Sequence, residues 1–229
     1  MIKDVPRVAV LMCVWRRLHL LPKTLQQLID QQWVDIDLYL WNNNFTHMVE
    51  LESIVARYRP YLKIDIWHST TNVGCFGRFI YAHQLKQRYP FFVVIDDDQY
   101  FDDWFIRTLW DQRQVGGVTA CHAFRFIQNR CYWERLRPEP FDAVNYCGPG
   151  GMIFDSQILR HASFFACPEK FRIMDDIWLS YVFNHLMRVP MKKSSASVKM
   201  IDSANDTFHS LRSKKSEFLT ELRRQGWRV

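Results

Sequence analysis

The stretch Phe91-Phe92-Val93-Val94-Ile95-Asp96-Asp97-Asp98 decides how the chain is read. Five apolar residues, three of them β-branched, have the pattern of a short buried strand. Three carboxylates follow at the point where such a strand leaves the core. Packing three acids together costs free energy through repulsion and lost hydration unless a cation or strong donors compensate. A divalent metal is one compensator, because hard cations take carboxylate oxygens. A solvated turn with a helix N-cap is the other reading, since acids favour both.

Upstream, strand and helix patterns alternate three times before this segment. Residues 8–14 and 36–41 are apolar strand patterns, and 62–67 alternates like a third strand. Helical periodicity covers 20–32, 48–58 and 79–88, with Leu21, Leu25, Leu28 and Ile29 on one face of the first. Such alternation predicts an α/β fold with a mostly parallel central sheet and helices on both faces. Ligands of open sheets bind beyond the carboxyl ends of the strands. Each strand here ends in polar or special residues: Trp15-Arg16-Arg17, Asn42-Asn43-Asn44, the run 69–72 and the three acids. They are expected to share one rim.

After Gly116 the pattern weakens. Residues 118–121 and 152–154 read as strands, 122–147 as aromatic and charged without a period, and 191–197 as a loop. Gly148-Pro149-Gly150-Gly151 is a breaker cluster. Asp175-Asp176 precedes a helix predicted over 177–187. A last strand is expected at 198–201 and a basic helix at 210–225. With no repeat, linker or low-complexity segment, residues 1–229 are expected to form one domain.

The 229 residues include 48% hydrophobic side chains, enough for a real core. Nine Trp, nine Tyr and seventeen Phe exceed what a core needs, so some are expected to line a cleft. The formal charge of +6 suits anionic ligands such as nucleotides, nucleic acid or a lipid surface. The six cysteines form no CxxC pair, which argues against structural zinc. No signal peptide or membrane-spanning stretch is read, so a cytoplasmic setting is the expectation, with peripheral membrane contact left open. A larger parent protein is equally compatible with the pattern.

The ordered motifs resemble those of nucleotide-sugar glycosyltransferases of the GT-A fold, a Rossmann-like architecture with a smaller acceptor-side portion. Val94-Ile95-Asp96-Asp97-Asp98 resembles the DxD motif, with Asp96 and Asp98 as its outer acids. Leu40-Trp41-Asn42-Asn43 together with the acidic triplet is similar to exostosin-type enzymes. The loop 72–78, Asn-Val-Gly-Cys-Phe-Gly-Arg, resembles the glycine-containing loop of family-2-like enzymes. Met174-Asp175-Asp176-Ile177 resembles the late acidic motif at a helix start.

The resemblance implies residues 1–115 as a nucleotide-binding half and 116–229 as an acceptor-binding half. It implies a nucleotide-sugar donor, most naturally a UDP-sugar, a hydroxyl acceptor on a glycan or small molecule, and Mn²⁺ or Mg²⁺. Asp98 would be the direct metal ligand and Asp96 would reach the ribose with help to the metal. Asp97 would fill either role or point away, since strand side chains alternate. His209 would be an added ligand. Val14, Trp15, Arg16, Asn43 and Asn72 would form the base and ribose pocket. Gly77 and Arg78 would face the diphosphate at a helix start. Gly150 and Gly151 would bind donor hydroxyls through backbone groups. Asp175 and Asp176 would serve as base and acceptor-holding acid in an inverting enzyme, or would bind sugar hydroxyls in a retaining one. Structural roles compete at several positions: capping for the Asn run and for Asp175-Asp176, and a surface histidine at 209. A metal-dependent nucleotidyltransferase or phosphodiesterase is the alternative, but residues 14–18 carry no glycine for a phosphate loop. A nucleic-acid-binding module is the third reading, without a recognisable motif.

Overall fold

In β1 (Arg7–Val14) alternate residues face different cores. Val8, Val10, Met12 and Val14 join one apolar cluster, while Ala9 and Leu11 join the other. The fourth strand, β4 (Phe91–Val94), divides likewise, with Phe91 and Val93 on one side and Phe92 and Val94 on the other. Continuous apolar runs, rather than alternating ones, are what a sheet covered on both faces requires. The structure is a computed structural model and describes residues 5–201 and 211–229, apart from the Arg212 side chain.

Strands β2 (Asp35–Asn42) and β3 (Lys63–His68) complete the first half. Later come β5 (Gln99–Tyr100), β6 (Val118–Ala120), β7 (Ala123–Phe126), β8 (Arg135–Leu136), β9 (Tyr146–Cys147) and β10 (Met152–Asp155). The last are β11 (Met191–Lys193) and β12 (Lys199–Met200). The main sheet has seven strands in the order β11-β6-β10-β4-β1-β2-β3. Every pairing in it is parallel except those of β10 with β4 and β6. Helices α1 (Leu21–Ile29), α2 (Met48–Ala56) and α4 (Phe105–Asp111) bury their apolar residues in the cluster around Val10. Helices α3 (Gly77–Leu85), α5 (Asp175–Tyr181) and α6 (Arg212–Arg224) bury theirs in the cluster around Leu11. The expected α/β architecture, a mostly parallel sheet between two helical layers, is the one observed.

The chain leaves β1 towards β2 and β3, then returns to place β4 on the other side of β1. Between β1 and β4 the strand order reverses, and the crevice above such a switch point is where open sheets take ligands.

Four segments differ from expectation, two of them only in extent or placement. Residues 191–193 pair in parallel with β6 instead of forming a loop; three residues reading Met-Lys-Lys carry too little pattern to announce an edge strand. The strand expected at 198–201 pairs as β12 with β5, away from the main sheet. Residues 122–147 contain the small sheet β8-β7-β9, and helix α5 starts at Asp175 and widens into a π turn over Val182–Leu186. No helix among the described residues is long and apolar enough to cross a membrane. All six cysteines are free thiols.

At the opposite end of the sheet, Asp37 is buried on β2 and accepts from Arg7 at 2.7 and 2.9 Å, pairs with Lys63 at 3.2 Å, and accepts from the Tyr89 hydroxyl. Burial pushes this carboxyl up, but the bonds from Arg7, Tyr89 and Lys63 outweigh it and hold it at about 2. A folded-state value below the unfolded one adds stability above about pH 4, lost as pH falls towards 2. Asp37→Asn should therefore cost about 2 kcal/mol at neutral pH. The loss should shrink in urea titrations repeated between pH 4 and 2.

Candidate active site

A cleft of about 680 Å³ opens above the carboxyl ends of β1, β2 and β4. Val14, Trp15, Arg16 and Arg17 line it from the end of β1, Asn43 from β2, and Asp96 and Asp97 from β4. Asn72, Val73, Gly74, Cys75 and Arg78 form a second wall, and Glu169, Lys170, Arg172 and Ile173 form the rim. This volume lies in the range of cofactor and small-molecule sites. The Trp15 ring carries the Arg16 guanidinium 3.7 Å from its centroid, a stacked pair suited to a planar base and an anionic tail.

The acidic tip is held by two arginines. Arg17 donates one nitrogen to Asp97 and the other to Asp98. Arg78, 1% exposed, donates to Asp96 Oδ1 at 2.6 Å, to the Ile95 carbonyl at 3.2 Å and to Asp175 Oδ2 at 2.9 Å. Burial raises Asp97 to about 6 despite Arg17, and raises Asp98 as well, with Asp96 adding repulsion. Asp98 is 8% exposed, and its Oδ1 is buried with no hydrogen-bond partner among the described residues. Leaving a charged acceptor unsatisfied in this way is costly.

Among the described residues no group of three or more His, Cys, Asp and Glu is arranged to hold a metal ion. His209 lies outside the described residues. The free Oδ1 of Asp98 and the partly open Asp96 carboxylate nonetheless fit a cation that takes one or two protein oxygens and completes its shell with water and phosphate. Mg²⁺ and, by ligand preference, Mn²⁺ bind in that manner.

The late acids face different partners. Asp175 is buried against Arg78, and burial outweighs that guanidinium and brings its carboxyl to about 6. Asp176 accepts at Oδ2 from Lys215 at 2.6 Å, Tyr146 at 2.6 Å and Tyr132 at 3.3 Å. Burial pushes Asp176 up, but Lys215 and Tyr146 prevail and hold it below the usual carboxylate range. Lys215 thereby ties α6 to the start of α5. Tyr132 and Tyr146 are buried in the core and do not line the cleft.

Asn43 holds the two walls together. Its Nδ2 donates to the Gly74 carbonyl at 2.9 Å, and its Oδ1 accepts from Val73 N and Trp41 Nε1, each at 3.1 Å. Asn72 is exposed on the rim and accepts from Gly74 N at 2.8 Å. Gly77 does not line the cleft. A Cβ there would fall 2.1 Å from the Trp41 ring, which stacks on Trp67. Gly77→Ala should therefore cost about 2–3 kcal/mol by overpacking, seen as a lowered urea midpoint with an unchanged slope. Gly150 lies against Asp96, where a Cβ would be 2.4 Å from Oδ2, and Gly151, at φ +81°, packs on Cys121 and Phe105.

Three polar groups were not singled out from sequence. Arg17 belonged only to a polar strand end. The nitrogens His122 Nε2 and Arg135 Nη1 are buried with no hydrogen-bond partner among the described residues, and His122 packs on Gly148. Arg135 lies 4.0 Å from the Phe124 centroid and 4.9 Å from that of Tyr132. The aperiodic stretch 122–147 gave no local signal for either.

No protein-family model matches the chain, and no curated protein matches it. Solved structures do share its fold. A mannosyltransferase from Pyrobaculum calidifontis, PcManGT in complex with GDP-Man and Mn²⁺, aligns at a TM-score of 0.66 and 12% identity over 96% of this chain and 65% of its own. S. aureus TarS aligns with a TM-score of 0.55 and 16% identity in complex with UDP, covering 90% of this chain and 63% of that one. In complex with UDP-GlcNAc, TarS aligns at 0.56 and 13% identity over 89% and 61%. The chain thus spans under two thirds of these neighbours' lengths, and the likeness is one of fold.

Proposed function

We propose that the chain is a nucleotide-sugar-dependent glycosyltransferase, transferring a sugar to a hydroxyl group. The observation that carries this is the cleft at the β1–β4 switch point, with an aromatic-cationic wall at Trp15-Arg16 and an acidic floor at Asp96 and Asp97, next to the buried Asp98. That arrangement suits a base, a ribose and a diphosphate in sequence. Proteins of the same fold hold UDP, UDP-GlcNAc and GDP-Man, which supports a nucleotide sugar; a UDP-sugar is the proposed donor.

In this reading residues 1–115 bind the nucleotide and 116–229 the acceptor. Asp98 and Asp96 would hold Mn²⁺ or Mg²⁺, which, when bound, stabilises negative charge on the departing diphosphate as a Lewis acid. Arg78 fixes the Asp96 carboxylate through a bond it cannot leave without exposing a buried charge. Asn43 keeps the Asn72–Cys75 wall against β2, so the base pocket keeps its width. Of the late acids, Asp175, buried behind the cleft wall on Arg78 and raised by that burial, is the proposed general base. Asp176, held ionised by Lys215, anchors α6. Gly150 lets the Asp96 carboxylate and the Gln99 amide pack directly on the backbone, where a Cβ would fall 2.4 Å from each.

A thermal-denaturation panel of UDP, GDP and their sugars, with and without Mn²⁺, tests the reading. A ligand at a hundredfold its Kd adds about 2.7 kcal/mol, or roughly 5–10 °C for a chain of this size. Stabilisation by one nucleotide that grows with Mn²⁺ is the expected result. No shift with any nucleotide in either metal would refute the assignment.

A further inference from the structure

We infer that Arg17 is a resident counterion, holding the acidic tip shut against divalent cations until a nucleoside diphosphate draws its guanidinium away. This deepens the proposed function and rests on it. Arg17 grips Asp97 with one nitrogen and Asp98 with the other. Its side chain is 22% exposed, so it reaches solvent and the cleft it lines. Asp98 is 92% buried and keeps one carboxylate oxygen, Oδ1, without a hydrogen-bond partner among the described residues. The guanidinium therefore compensates the acids only in part.

A guanidinium and a divalent ion compete for the same carboxylates. An ion on Asp98 Oδ1 would face the arginine one carboxyl width away, with both charges poorly screened in a buried setting. Metal alone must displace Arg17 or tolerate it, and either weakens binding. A diphosphate entering the cleft offers the guanidinium a bidentate anionic partner. Once Arg17 turns to the diphosphate, Asp97 and Asp98 are free for the metal. Metal and nucleotide are then coupled, and linkage makes the coupling reciprocal. Arg78 is not such a device, because it is only 1% exposed and joins two elements.

The arithmetic is that of a fractionally available site. If the acids are free of Arg17 about a tenth of the time, metal alone binds about tenfold more weakly than the bare acids allow. The test is Mn²⁺ binding followed by the electron paramagnetic resonance of free Mn²⁺, with no turnover required. It uses the full chain, with and without UDP or GDP. In Arg17→Gln, Mn²⁺ alone should bind about tenfold tighter than in the unsubstituted protein, while nucleotide in the presence of Mn²⁺ binds more weakly. Arg17→Lys, which keeps a charge but cannot fork two acids, should fall between them. A group with a merely structural role would leave metal affinity unchanged or lower it. Unchanged or weaker Mn²⁺ binding by both variants, each with a native circular dichroism spectrum, would overturn the inference. If nucleotide still binds with Mn²⁺ in that case, the glycosyltransferase reading stands. If no nucleotide binds the unsubstituted protein, that reading fails instead.

Discussion

Arg78→Met should lower stability by about 3–5 kcal/mol, the range for breaking a buried ion pair from one side. The side chain is fully buried and bridges Asp96, at the end of β4, to Asp175, at the start of α5. Removing it leaves two carboxylates facing each other with no cation. Asp175 already sits near 6 with the guanidinium in place, so without it this acid would bind a proton more readily still. Methionine has a similar length and fills most of the volume, which separates loss of charge from loss of packing. Arg78→Lys should recover little, because one ammonium cannot serve both acids and the Ile95 carbonyl in a fork geometry. The diagnostic is a cycle with Asp175→Leu. That single change strands part of the Arg78 charge and is itself costly. The double substitution should cost less than the sum of the singles by at least about 1 kcal/mol. Urea unfolding of the four proteins measures this, and additive losses would show that the bridge contributes nothing of its own.

The same bridge marks where sequence reading stops. The strands could be read because the buried runs 8–14 and 91–95 are apolar at every position, a consequence of helices on both faces. The rim could be read because four strand ends turn polar at once. What no local pattern carries is pairing across the fold. Arg17 meets Asp97 and Asp98 some eighty positions away, and Arg78 meets Asp175 ninety-seven positions away. An arginine after a strand gives no hint of which acid it will hold. Asn43 shows a related limit. A donor-acceptor side chain at a strand end suits a nucleobase edge, yet the same versatility lets it bond Trp41, Val73 and Gly74. Gly77, at a helix start, reads as a phosphate site, while the position is dictated by the Trp41 ring pressed against it. The second half was hardest to read because its elements are short. Strands of two to four residues, such as β8, β9 and β11, show no period.

Asp98→Asn should separate stability from function more sharply than any other single change. Three carboxylates crowd the tip of β4, and both Asp97 and Asp98 are driven up by burial and mutual repulsion. An ionised group whose proton affinity is raised by folding destabilises the folded state at neutral pH. A neutral amide at position 98 relieves that repulsion and can still accept from Arg17 through its oxygen. The fold should therefore be unharmed or gain up to about 1 kcal/mol, the usual return when a strained functional group is neutralised. The cost falls on the chemistry. An amide oxygen is a poorer partner for a hard divalent ion than a carboxylate oxygen, and its nitrogen is no partner at all. Sugar transfer measured with the donor found in the thermal panel should fall about 10²–10³-fold, the range for losing one transition-state charge stabiliser. Metal-free nucleotide binding should change little, since Trp15, Arg16 and Asn43 are untouched. A drop in melting temperature together with lost turnover would mean that Asp98 supports the structure only. Full turnover in the variant would place the acidic tip outside the reaction.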